Sequence, residues 1–234
     1  MTPDARREAF RALAAGLDRL DLDVYRSAGR DPLDPVLGEG DPGARVCMFG
    51  RDPGRHEIIH GFPFIGAGGQ KVRVGLHKAL FGTPMPDFAA SVEAGRYVFW
   101  ANMVPYKPIE NKVWAPKTRD AFAPVVRDLL VHGWSGDTVL ALGREAFFWF
   151  GTDKASTAAL TAHWAREDRF STGVRVDVVA PDGARRTLDV FPLPHPSPLN
   201  ATWGPRFPGL LADRLAALGW GRDTWRRGGG APTV

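Results

Sequence analysis

Three polar stretches each follow an apolar run: "RDPGRHE" from Arg51, "NMVPYKP" from Asn102 and "HPSPLN" from His195. The last holds an imidazole, a hydroxyl and an isolated leucine around Pro196 and Pro198. A plain turn needs no such stiffness, and one core does not need that mixture of groups. Asp52 follows a strand-like run directly and is backed by Pro53. Gly50 and Gly54 would let backbone N–H groups approach a ligand closely. Phe64, between Pro63 and "IGAGG", could offer its ring to a flat ligand, and the Asn102 amide could read a donor/acceptor edge. Each residue also has an ordinary reading. Asp52 could form an Asx-turn, Phe64 could be core packing, and Asn102 could be a strand-end turn residue.

The elements that must position these groups follow from periodicity. Residues 4–20 have the pattern of an amphipathic helix, with Phe10, Leu13, Leu17 and Leu20 on one stripe. "GRDPLDPVLGEGDPG" is loop. "RVCMFG" is a short continuous apolar strand of the buried type. A long glycine-rich loop then leads into a helix marked by Val72, Leu76 and Leu80. "RYVFWAN" is a second strand, and Thr118 is expected to cap a helix bearing Phe122, Val125, Val126, Leu129 and Leu130. "TVLALG" is a third strand, followed by the helix "REAFFWF". "VRVDVVA" and "RTLDVFP" flank Pro181-Asp182-Gly183, a hairpin signal, and residues 207–218 form a last helix. Strands alternating with helices predict an α/β class: one three-layer domain with a central, mostly parallel sheet flanked by helices. Ligands bind such sheets beyond the carboxyl ends of the strands, where all three polar stretches fall. The domain is expected over residues 1–220, with a flexible tail over 221–234.

The chain has 234 residues, 44% of them hydrophobic, enough for a sizeable core. Thirty basic against 26 acidic residues leave a net charge of +4, carried mostly by arginine. That balance favours an acidic partner such as nucleic acid, and arginine's planar fork suits phosphate. A GC-rich genome would enrich arginine equally well. The single cysteine, Cys47, cannot form an internal disulfide or a multi-cysteine metal site. No apolar run approaches the ~18 residues of a membrane span, and the N-terminus lacks a signal-peptide core. A soluble, cytoplasmic monomer without a membrane partner is the expectation.

In order and spacing, "PVLGEGDPGARVCMFGRDPGRHEIIHGFPFIGAGG", "WANMVPYKP", "VLALGREAF" and "HPSPLN" resemble the uracil-DNA glycosylase superfamily over roughly residues 36 to 200. The glycine frame is similar to the iron–sulfur-containing bacterial and archaeal branch, while the "G-x-DP" order and "HPSPL" loop are similar to the uracil-specific branch. The resemblance implies hydrolysis of the N-glycosidic bond of a flipped-out uracil in DNA, with no metal and no diffusible cofactor. Asp52 would stabilise the sugar cation and orient water, and His195 would donate to uracil O2. Gly50, Arg51, Gly54, Phe64 and Asn102 would line the base pocket, with Phe64 stacking and Asn102 reading the O4/N3 edge. Lys107, Ser197, Pro198, Leu199 and Arg206 would face the DNA, with Leu199 wedged into the stack.

Departures from the pattern matter. Four cluster cysteines are missing, Tyr106 stands where one is expected, and Arg51 replaces an acidic residue. Gly54 stands where the uracil-specific branch has a tyrosine that blocks the thymine methyl. Arg51 beside Asp52 therefore keeps open a catalytically weak member that binds DNA damage. Gly54 keeps open another deaminated base, such as hypoxanthine or xanthine.

Overall fold

The computed structural model describes residues 1–38 and 40–226. These form helices α1 (Pro3–Ala14), α2 (Leu22–Ser27), α3 (Arg55–His60), α4 (Ala67–Phe81), α5 (Phe88–Gly95), α6 (Pro116–His132), α7 (Arg144–Phe148), α8 (Lys154–Trp164) and α9 (Phe207–Ala217). The strands are β1 (Val46–Gly50), β2 (Phe99–Asn102), β3 (Thr138–Leu142), β4 (Val174–Val179) and β5 (Arg185–Leu193).

The strands make one sheet in the order β2-β1-β3-β5-β4. Pairing is parallel from β2 through β5, with Gly50 opposite Asn102 and Leu142 opposite Leu193. Only the edge strand β4 runs antiparallel, as the hairpin signal at Pro181-Asp182-Gly183 predicts. Every residue of β1, β2 and β3 is buried, which is why those runs are continuously apolar rather than alternating. The predicted α/β architecture, a mostly parallel sheet flanked by helices, is the one found. The chain leaves β1 toward β2 on one side and later returns to β3 on the other. The carboxyl end of β1 is thus a topological switch point, where open α/β sheets bind ligands.

Some elements differ from their sequence pattern. The first helix stops at Ala14 rather than residue 20, and Leu20 instead bridges to Pro108. The helix expected to be capped by Thr118 begins at Pro116, because proline suits the first helical position. Helices α2, α3, α5 and α8 were not apparent in the sequence. The first three are too short for a period, and α8 buries only Leu160 and His163.

Residues 221–226 are not a flexible tail. Trp225 is buried against Tyr97 at 5.0 Å, its carbonyl accepts from the Arg45 N–H at 2.7 Å, and Arg226 pairs with Asp41. The remainder of the expected tail, 227–234, lies outside the described residues.

Candidate active site

The site begins where β1 and β2 end. Their hydrogen-bonded ladder continues past both strands, since the Met103 N–H donates to Gly50 O at 2.9 Å and Val104 N–H to Arg51 O at 3.1 Å. The two following loops therefore leave the sheet side by side. Gly50 has to be glycine, because a Cβ there would collide with the Phe64 ring and lie 2.9 Å from Asn102 Oδ1. Phe64 lies across the strand end and stacks on Trp100 with ring centroids 4.9 Å apart. Its backbone is in the left-handed region at φ 54°, which a non-glycine residue adopts only when its surroundings insist. The fully buried Arg73 supplies that insistence. Its guanidinium donates at 2.8 Å to the carbonyls of Phe64, Pro63 and Ser91. Gly69, packed against the Phe64 carbonyl, leaves room for the turn.

Asp52 has a side chain only 4% exposed, and Arg51 lies over it, with Nε 2.6 Å from Oδ1 and Nη2 3.2 Å from Oδ2. The same Nη2 donates to Asn111 O at 2.9 Å. Glu110 and Asn111, at φ 55° and 56°, make the tight left-handed turn that delivers this carbonyl. Burial pushes the Asp52 carboxyl up to about 6, although the Arg51 and Lys107 charges pull it down. Glu57, which also raises it, has a structural task. One Glu57 oxygen accepts from Gly54 N at 3.0 Å and the other from Gly66 N at 2.8 Å. This clamps the loop after β1 to the loop before α4.

His195 follows β5 and overlies Gly143, where a Cβ would sit 3.2 Å from His195 Cβ. Gly143 adopts φ 103°, so both its backbone and the imidazole above exclude other residues. Ser197 N–H donates to His195 Nδ1 at 3.2 Å, which leaves the ring proton of neutral His195 on Nε2. Crowding by protein, and then the Arg51 charge, hold its pKa below the usual histidine value. Neutral imidazole with a free Nε2–H donor is therefore the form at pH 7. Asn200 Nδ2 ties the loop back by donating to His195 O at 3.1 Å, and Leu199 N–H donates to Ser197 Oγ at 3.2 Å. Leu199 itself is 93% exposed, far more than any other large apolar side chain described.

One cleft of about 260 Å³ brings together Gly50, Arg51, Asp52, Gly54, Phe64, His195, Ser197 and Pro198. Asn102, 4% exposed, borders it beside Gly50, and no protein group described here hydrogen-bonds its amide. Leu199 and Arg206 are exposed and do not line the cleft. Lys107 does not face outward, contrary to its expected contact with DNA. It is 3% exposed, and its amine donates to Asp21 at 2.8 Å and Pro108 O at 2.9 Å. A buried cation is stable only beside a counter-charge, here Asp21, and its field reaches Asp52. Sequence reasoning missed Arg73, Gly143, Asn111 and the clamp by Glu57. The glycines between residues 50 and 69 were a signal for Glu57 and Arg73, whereas Asn111 lies in a stretch without glycine.

At the switch point of this α/β domain, one cleft holds a buried acid, an imidazole and an aromatic ring. The family model described as the Uracil DNA glycosylase superfamily matches residues 37–219, and the chain belongs to that superfamily. Comparison with curated proteins found no match. Membership supports a DNA glycosylase-type function, with DNA as partner. The cluster of the iron–sulfur branch does not fit these residues. Cys47 is fully buried in β1 with its thiol pushed well up by burial, and Tyr106 is buried with its hydroxyl donating to Leu33 O. Among the described residues, no group of three or more His, Cys, Asp or Glu side chains is placed to hold a metal ion. No helix among them is long and apolar enough to cross a membrane.

Proposed function

We propose that this protein hydrolyses the N-glycosidic bond of uracil flipped out of DNA. The observation that carries the reading is the cleft itself, where a buried carboxylate, a neutral imidazole donor and an aromatic floor converge beside an unpaired amide. As the bond breaks, positive charge gathers on the sugar and negative charge on the base. Ionised Asp52 faces the first and orients the water whose hydroxyl joins C1′. His195 Nε2–H faces the second at uracil O2, and the departing base takes a proton. A neutral donor suits this task, because it needs no proton uptake before reaction. Phe64 stacks on the flipped ring, and the Asn102 amide satisfies the O4/N3 edge, which cytosine would leave mismatched. Exposed Leu199 fills the vacated stack, and Ser197 meets a backbone phosphate.

A second reading has its own observation. Arg51 covers both oxygens of Asp52, so a cation sits where the sugar cation must form. If it stays there, the protein binds damaged DNA and excises slowly. The test is single-turnover incubation with oligonucleotides containing uracil, hypoxanthine or xanthine, followed by alkaline cleavage of abasic sites. Excision of uracil supports the first reading. Tight binding to a damaged site without excision supports the second, and release of a purine reassigns the base.

A further inference from the structure

Outside the cleft, the same rim carries a second concentration of aromatic rings and arginines. Phe148 at the end of α7 meets Trp164 at the end of α8, with centroids 5.7 Å apart. Phe170, in the loop before β4, meets Trp203 edge to face at 4.9 Å. Guanidinium groups lie over these faces: Arg144 4.7 Å from Phe148, Arg169 4.9 Å from Phe170 and 5.7 Å from Trp203, and Arg206 5.4 Å from Trp203. The band adjoins His195 at two points. Arg144 directly follows Gly143, which lies under the imidazole, and Trp203 N–H donates to Asn200 Oδ1 at 3.2 Å in the loop that holds the imidazole.

Structure uses these cations only in part: Arg144 Nη1 lies 3.9 Å from Glu145 Oε1, and Arg169 Nη1 donates to Arg166 O at 2.8 Å. Among the described residues neither Arg169 nor Arg206 has a carboxylate partner, and nearby Asp168 is held by Arg166 at 2.7 Å. Arg206 and Arg144 are exposed, Trp203, Trp164, Phe148 and Arg169 are half-buried, and Phe170 is buried. Duplex DNA could offer this band phosphates only, since its base faces are already stacked. Unpaired bases can lie against indole and guanidinium planes alike, while their phosphates meet the arginines.

We infer that this band is a platform for single-stranded DNA flanking the flipped nucleotide, running from His195 toward the β4 edge of the sheet. It rests on the DNA-binding reading above and extends it to unpaired strands. The test uses the full chain and fluorescently labelled, undamaged oligonucleotides, so that its outcome is independent of excision. Three probes of equal phosphate number are compared: a single strand, a blunt duplex, and a strand of abasic spacers. The double variant Arg169→Gln/Arg206→Gln, with unchanged melting temperature, should bind the single strand about tenfold more weakly and lose clearly less on the duplex, whose stacked bases cannot follow the band. Its salt slope on the single strand should flatten by about 1.4, for two phosphates no longer neutralised. Wild type should bind the spacer strand about tenfold more weakly than the natural one. Equal losses on duplex and single strand, or no loss, overturn the platform. Equal binding of spacer and natural strands overturns the stacking. Because no probe contains uracil, a platform confirmed in a protein that excises nothing would leave this inference standing and remove only the proposed activity.

Discussion

At the residue scale the site turns on one carboxyl group. The Asp52 pKa, lifted from 3.8 to about 6 by burial, has two consequences of opposite sign. Excision needs the ionised form, so its rate should rise with pH and level off above about 6. Stability runs the other way. The buried charge costs folding free energy above about pH 6, and that cost is gone below the ordinary value of 3.8. Arg51 holds the value down, so Arg51→Gln should move the acid limb of the excision profile to higher pH. A limb that stays in place would mean that Arg51 leaves Asp52 once DNA is bound. Asp52→Asn and His195→Ala should each lower the single-turnover rate by about 10²–10³, with much smaller changes in binding to abasic DNA. An intact rate in Asp52→Asn would remove it from the chemistry, and Glu57, committed to two backbone N–H groups, is poorly placed to replace it.

At the scale of elements, loops carry the chemistry and glycines decide where they lie. Gly143→Ala places a methyl 3.2 Å from His195 Cβ at a left-handed φ, so the imidazole must shift. Misplacement by about an ångström costs on the order of 10² in rate, and this contact asks for a few tenths of that, so excision should fall by up to about tenfold on a variant that still folds. A variant with full activity would show that His195 need not be held there. The loop from His195 to Asn200 makes a further prediction through Leu199. Leu199→Ala should slow excision in duplex DNA by more than in single strands, which have no stack to hold open. Exposure of 93% makes a folding defect implausible as the cause, and equal slowing on both substrates would argue against the wedge.

At the scale of the whole molecule, the C-terminal segment belongs to the domain. Trp225 inserts against Tyr97, and its carbonyl pairs with the segment that leads into β1, the strand that presents Asp52. Ending the chain at Trp220 should destabilise it by about 3 kcal/mol, in line with loss of a buried tryptophan. For a chain of this size that is on the order of 6–12 °C in melting temperature, read by calorimetry. An unchanged transition would show that the segment only rests on the surface. DNA binding is expected to survive in the folded fraction, because the cleft and the arginine band lie at the opposite, carboxyl ends of the strands.

How much of this was legible beforehand depends on whether the cause is local. The apolar runs of β1 and β3, the hairpin at Pro181-Asp182-Gly183 and the glycine frame are local patterns, and they sufficed for the α/β class and the superfamily. Asp52, Phe64, Asn102 and His195 could be singled out because each sits beside a proline, a glycine or a strand end. Their meeting in one cleft is a property of strand order, which joins residues 50, 102 and 195 across long stretches of chain. Lys107 looked like any surface cation beside a proline-rich loop. Only burial opposite Asp21 turned it inward, because a charge without water must find a counter-charge. Arg73 had the opposite history, an arginine in an ordinary amphipathic helix that proves to hold the strained turn at Phe64. The cap of Arg51 on Asp52 is the case that matters most. Adjacency made it conceivable, but a neighbour's side chain can point anywhere. The Asn111 carbonyl, brought sixty residues along the chain by a left-handed turn, is what aims the guanidinium at the acid.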